Sequence, residues 1–552
     1  MFRLFHTVRH LRAEQVIYRL KYRVLPTRVR SVGHISRRPW ANRWHQPVLA
    51  KRSLVAPATF EFLGARGRVD GAADWNDPHR SKLWLYNLHY LDDLNAEGCD
   101  QRTDEHVRLI ESWIGHNPAG HGIGWEPYPL SLRIVNLVKW LDRQRRVEEH
   151  WLRSLATQAS ALADRVEYHL LGNHLFANGK ALVFAGVFFD GTQADAWLAQ
   201  GLAILERELP EQFLADGAHF ERSPMYQATL TADLCDLVRL ADVSGLASLR
   251  ACRGAWAQVL ARATQWLEAM AHPDGEISFF NDAALGIAPS PARLRSYAES
   301  LVGALPPAPR AIDGSIRLHS LAPSGYCRVD LPDDGVAIID VAPLGPDYLP
   351  AHGHADTLSF ELSLFGTRVF VNSGTSRYGE DAERLRQRAT AAHNTVVVDD
   401  ENSSEVWGGF RVARRAHPML REAGERDGRI VIDASHDGYL RLAGRNIHRR
   451  RWIFEAGSMR IEDTIEGPFR SAVAYLHLHP DVVVERLSPE DRTARLRIPS
   501  GRTIEVAVTG ASLAVAASTW HPRFGVSIPS NVLVLAFEES AVSTNVSWNR
   551  SR

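Results

Sequence analysis

The chain is 552 residues long, with 64 Lys+Arg against 64 Asp+Glu, 45% hydrophobic and 23% charged residues. That balance excludes a disordered, collagenous or membrane-embedded class and leaves ample apolar surface for two large domains or three to four ordinary ones. The four cysteines, Cys99, Cys235, Cys252 and Cys327, show no CxxC spacing, which argues against a disulfide scaffold and a thiolate zinc site.

The neutral total hides a basic arm. Residues 1–51 hold twelve Lys or Arg against the single acid Glu14. Charges break every apolar run, so neither the hydrophobic region of a signal peptide nor a membrane span is read there. The expected location is the cytoplasm, with the periplasm left open. Two readings of the arm stand: a solvated helix packed on the next domain, or an amphipathic helix associated peripherally with an anionic membrane. No nucleic-acid recognition motif accompanies it, so nucleic acid is not an expected partner.

From about residue 100 to 305 apolar residues recur at helical spacing, as at Leu130, Ile134, Leu137 and Val138. Helices are predicted near 104–116, 129–144, 148–168, 173–187, 191–207, 227–243, 250–270 and 291–303, joined by short Gly, Pro and Asp connections that make antiparallel pairs. Tryptophans stud this half as core residues, or as aromatic faces for a sugar. The Pro-rich stretch 305–314 marks a boundary, after which the pattern changes to period two. Runs such as GVAIIDV, TLSFELSLFGTRVFV, NTVVVDD, RIVIDAS and NVLVLAF, bounded by turn residues, predict an antiparallel sandwich.

Several clusters carry residues suited to chemistry. GNHLFANGKAL sets Asn173 and His174 at a predicted helix start, where amide and imidazole donors suit a carboxylate. DGAHFERSPMYQATL brings His219, Glu221, Arg222 and Tyr226, a cluster interrupted by Pro224, ahead of a helix. In HGHADTLSFEL, His352, His354 and Asp356 alternate and are read as one face of a strand, with Asn372 and His393 as further metal-ligand candidates. Histidines hydrogen-bonded in a loop are the alternative. HxHxD also opens some metallohydrolase sites, but the next residue there is Thr357.

GNHLFANGKAL, SPMY, HGHADTLSFEL, VFVNSGTSRY and AAHNTVVVD, taken together and in this order, resemble the heparinase II/III-like polysaccharide lyases. The resemblance runs from about residue 80 onward. It implies an α+β multidomain protein in which, after the basic arm and its lead-in over residues 1–80, an incomplete α/α toroid of helical hairpins spans 81–312 and an antiparallel β-sandwich 313–552, with a cleft between these two. It implies β-elimination at a uronic acid of an acidic polysaccharide, heparan-type first and alginate-like or capsular polymers next. Asn173, helped by His174, would neutralise the carboxylate; Tyr226 would be base, acid or both, and His352 the other proton-transfer group. A phenol needs nearby cations to serve as a base near neutrality, and Arg222 and His174 are the candidates.

By the same resemblance His354, Asn372 and His393 would surround a structural divalent metal, zinc or else calcium or manganese, with no organic cofactor. An aspartate is usual where Asn372 stands, and its absence weakens the site. Substrate-binding candidates are Arg222, Arg377 and Arg388, within a series that includes Arg384, Arg386, Arg411, Arg414 and Arg415, and the lip GWEPYPLSLR with Trp125 and Glu126. The arginines read equally as a solvated face, and the lip equally as a helix-entry loop. Two other functions compete: a catalytically silent acidic-glycan binder and a metal-dependent hydrolase. Oligomeric state is not legible in the sequence.

Overall fold

A computed structural model describes residues 2–25, 29, 32, 36–45, 47, 49–309 and 314–549. All eight predicted helical blocks are helices, among them Pro127–Arg143, Gly172–Phe188, Thr192–Gln212, Pro224–Ser244 and Ala247–Ala269. Their ends follow local chemistry. Pro224 is not an interruption but the first residue of its helix, where a missing N–H costs nothing, and the Ser223 hydroxyl caps it by accepting the Tyr226 N–H at 3.2 Å. The helices form hairpins in a partial α/α toroid. Trp84, Trp140, Trp151, Trp197, Trp256 and Trp266 are buried in the protein's apolar cores, so the tryptophans are predominantly packing residues.

Helices end at Val302 and strands resume at Arg317; of the predicted boundary, residues 310–313 lie outside the described residues. In the β half every pair of named strands is antiparallel. A five-stranded sheet, from Arg317–Leu321 to Thr367–Phe370, is joined by the Phe370–Leu478 bridge to a four-stranded sheet, and an eight-stranded sheet packs opposite. Between them lies one apolar layer that includes Phe360, Phe370, Trp452 and Leu533. A three-stranded sheet over residues 54–68 and the helix Lys82–Tyr90 precede the toroid hairpins; neither was expected from periodicity.

One sequence expectation fails in this half. HGHAD is an irregular loop, and the strand begins only at Phe360. Without a pleat there is no common face: His352 lines an open cleft while His354 and Asp356 are buried behind it.

Candidate active site

The cleft between the helical and β halves has a volume of about 1150 Å³, and its walls include Asn173, His174, Glu221, Tyr226, His352, Arg377 and Tyr378. The four predicted catalytic residues thus meet in one place. Its aromatic surfaces are tyrosines and phenylalanines, Tyr86, Tyr90, Tyr128, Phe410 and Phe524 among them, rather than tryptophans.

Asn173 is placed by an unusual turn. Leu171 (φ +66°) and Gly172 (φ +59°) both adopt left-handed backbone, and a Cβ at Gly172 would lie 2.3 Å from Leu349 and 2.7 Å from the Glu221 carboxylate. Glycine alone meets both demands. The helix therefore starts hard against Glu221, whose oxygens accept the Asn173 amide at 3.2 and 3.4 Å. The Asn173 backbone N–H also donates to Glu221, at 3.4 Å, so this carboxylate caps the start of the helix, whose first turn carries partial positive charge.

His174 stacks on Tyr128 with ring centroids 4.3 Å apart and bonds Glu167 through Nδ1 at 3.1 Å. Burial works against its charge, but Glu167 outweighs burial and the imidazole titrates above its ordinary value. His174 therefore brings a cation to the Asn173 side of the cleft. Its stabilising share is complete below the unfolded value of about 6.5 and is lost as pH rises through the higher folded value. Affinity for an anionic ligand is expected to weaken over the same alkaline-going window in wild type and to flatten in His174→Gln, as measured by calorimetry across pH.

Opposite stands His352. Its Nδ1 bonds Asp282 at 2.9 Å, its Nε2 lies 3.6 Å from Glu221, and its ring stacks on Tyr226 at 4.1 Å. Because the Asp282 carboxylate only accepts, Nδ1 carries the hydrogen, and Nε2 is the ring nitrogen turned to the cleft. Tyr226 reaches Tyr378 hydroxyl to hydroxyl at 3.0 Å. Burial, with Tyr378 and Asp282 adding to it, pushes the Tyr226 phenol well above its usual range. The free cleft thus holds it as a proton donor, and the cations expected to favour a phenolate do not do so.

Asp282 is the residue the sequence reading missed. It is fully buried, and it binds His352, His354 at 2.9 Å and Arg384 through both terminal guanidinium nitrogens. Burial alone would raise its pKa; Arg384 and the two histidines hold it well below the carboxylate range. Ser223, the cap of the Tyr226 helix, donates to the Asp282 carbonyl. Tyr226 and His352 are therefore tied to one carboxylate-bearing loop.

The proposed metal ligands meet only in part. His354 Nδ1 and His393 Nε2 are 3.1 Å apart. The other nitrogen of each ring faces a pure acceptor, the Asp282 carboxylate at 2.9 Å and the Ala389 carbonyl at 2.8 Å. Both rings then aim lone pairs at each other, and burial holds them neutral, at about 4 for His354 and about 3 for His393. Facing lone pairs backed by a carboxylate and a carbonyl are what two imidazoles sharing one cation present. Asn372 adds only a neutral amide whose oxygen accepts the Asn394 N–H at 3.1 Å. Among the described residues no three His, Cys, Asp or Glu side chains cluster around a metal-sized site.

Of the substrate-binding candidates, Arg377 lines the cleft, with Asp381 3.7 Å away. Arg388 is fully buried and bonds the Gly353 and Gly408 carbonyls. Arg222 points at the Ser324 and Phe220 carbonyls instead of the cleft. Trp125 packs on Trp113 and donates to the Asn117 carbonyl, so it serves the helix entry, while Tyr128 of the same lip reaches the cleft. Glu126 stands one layer back, holding Tyr86 and Lys82, which do line the wall. Arg384, read as a rim residue, is interior because Asp282 pairs with it there.

Family models for the heparinase II/III N-terminus and the heparinase II/III-like C-terminal domain match residues 79–301 and 314–549. The chain belongs to the heparinase II/III-like family. Relatives include a heparin-sulfate lyase of Bacteroides stercoris, 24% identical over 302 residues (49% of this chain, 43% of the relative). A heparin-sulfate lyase of Pedobacter heparinus is 24% identical over 353 residues (59% and 52%). The chain thus spans about half the length of the curated relatives it matches. Among solved structures, a crystal structure of heparinase III superposes with a TM-score of 0.67 at 18% identity, covering 89% of this chain and 80% of that one. A heparan sulfate lyase mutant from Pedobacter heparinus gives 0.60 at 16% identity, covering 98% and 88%. At these identities the likeness of this heparinase II/III-like chain to the solved structures is one of fold.

Proposed function

We propose that this heparinase II/III-like protein is a polysaccharide lyase that cuts a glycosaminoglycan-type polymer, heparan-like first, beside a uronic acid by β-elimination. The observation that carries this reading is the convergence of Asn173, Tyr226 and His352 on one cleft. A pure binder has no use for a proton donor stacked on an imidazole opposite an amide. Relatives named heparin-sulfate lyases support the substrate class.

The elimination needs three acts, and each has a residue. The Asn173 amide and protonated His174 hold the uronate carboxylate and stabilise charge as it spreads from C5. His352 Nε2 removes the C5 proton, with Asp282 steadying the imidazolium as it forms. The C5–H electrons become the C4=C5 double bond, the C4–O4 bond breaks, and the Tyr226 phenol gives its proton to O4. Return of the His352 proton to Tyr226, 4.1 Å away ring to ring, resets the site. Incubation with heparan sulfate and other uronate polymers tests this: far-ultraviolet absorbance rises as unsaturated uronate accumulates. Polymers that bind without any rise would favour the glycan-binding function instead.

His354 and His393, with the Asn372 amide, are the residues that would hold a structural divalent cation; bound there it would fix both imidazoles and, through His354, the position of Asp282. Elemental analysis is expected to find one divalent ion per chain. Chelation should lower the melting temperature, and Asn372→Asp should tighten retention of the ion by adding a charge. A metal-free protein whose melting is indifferent to chelator would contradict the assignment.

A further inference from the structure

The basic arm forms two helices, Phe2–Val8 and Ala13–Val24, whose outward surface is apolar. Of the fourteen large hydrophobic residues exposed among the described residues, nine lie between Phe2 and Leu25; Phe2 is 82% exposed and Val24 77%. On a helical wheel Val16, Ile17, Leu20 and Val24 fall within about 100°. Arg19 and Arg23 border that stripe on one side and Lys21 on the other.

The opposite face is fastened down. Gln15 is buried and donates to the Tyr348 carbonyl at 3.2 Å, Tyr22 donates to the Val166 carbonyl at 2.7 Å, and Arg12 pairs with Glu211 while lying over the Tyr348 ring. Thr7 bonds the Val412 carbonyl at 3.2 Å and accepts from Trp407 at 3.1 Å. The helices are thus anchored to both halves of the protein, and the apolar stripe is held outward by bonds that leave it nothing to bury.

We infer that this face docks the protein on an anionic lipid surface, with the apolar stripe in the headgroup boundary and the arginines on lipid phosphates. Charge selects the occupant. Glu14 is the only acid in the arm and is taken by Arg207 at 3.0 Å, and neither Arg19 nor Arg23 has a carboxylate partner among the described residues. Two copies face to face would oppose like charges, whereas an anionic surface complements them. No helix of the described residues is long and apolar enough to span a bilayer, so the arm lies on it. The docked arm packs on Tyr348, next to the cleft residue Leu349, which sets the cleft beside the membrane. This inference is independent of the proposed chemistry.

Cosedimentation with vesicles tests it. The full chain should pellet with equimolar phosphatidylglycerol and phosphatidylcholine, roughly tenfold or more better than with phosphatidylcholine alone, and less as salt rises. Ile17→Glu with Leu20→Glu, and separately Arg19→Glu with Arg23→Glu, should each abolish this preference with melting temperature unchanged. The second pair keeps the test decisive should the first fold poorly. Absence of binding, equal binding to both vesicles, or a dimer in light scattering that the first pair dissociates would each overturn the inference, the last by showing a second copy on this face.

Discussion

Tyr226→Phe is expected to cut kcat by about 10²–10⁴-fold, the usual worth of a positioned proton donor, with little change in KM. The substitution keeps the ring that stacks on His352 and removes only the hydroxyl shared with Tyr378. The stability cost is that of one hydrogen bond, about 0.5–1.5 kcal/mol. A large rate loss with nearly unchanged melting therefore separates chemistry from folding. Tyr378→Phe should lose far less rate, because Tyr378 orients the donor and leaves the proton in place. Kinetics and thermal melts of the two variants check both expectations. Equal losses would move the donor role to the pair.

Asp282→Asn is expected to show both kinds of loss. The neutral amide leaves Arg384 buried without its counter-charge, which costs on the order of 3–5 kcal/mol and is read in denaturant unfolding. The amide also cannot accept from His352 Nδ1 and His354 Nε2 as the carboxylate does, so the imidazole of His352 loses its fixed tautomer. At a temperature where the variant stays folded, kcat should still fall by about 10²-fold or more while KM holds. A variant that is destabilised yet turns over normally when folded would show that Asp282 is scaffold only.

The uneven legibility of this molecule has physical causes. Helices such as Thr192–Gln212 and strands such as Ile528–Phe537 were readable because burial on one face imposes a period on the residues themselves. Asn173, Tyr226 and His352 were readable because each sits inside a short motif. Period two misled at His352, His354 and Asp356, since the same spacing in an irregular loop has no alternating faces. Arg384 and Arg388 lie on a short charged helix that reads as solvated, and only the fold shows that both are buried. Asp282 lies seventy residues from its His352 partner in a segment without periodicity, so no local pattern links them. Its one signal was general: an acid within an apolar stretch, SFFNDAAL, needs a buried partner.

The most direct test of elimination is the mass of the fragments released from a defined heparan-type oligosaccharide. Elimination moves a proton and breaks C4–O4 without adding water, so the two fragment masses should sum to that of the parent, with the double bond on the uronate at the new non-reducing end. Fragments heavier by one water would contradict the account and show hydrolysis in the same cleft.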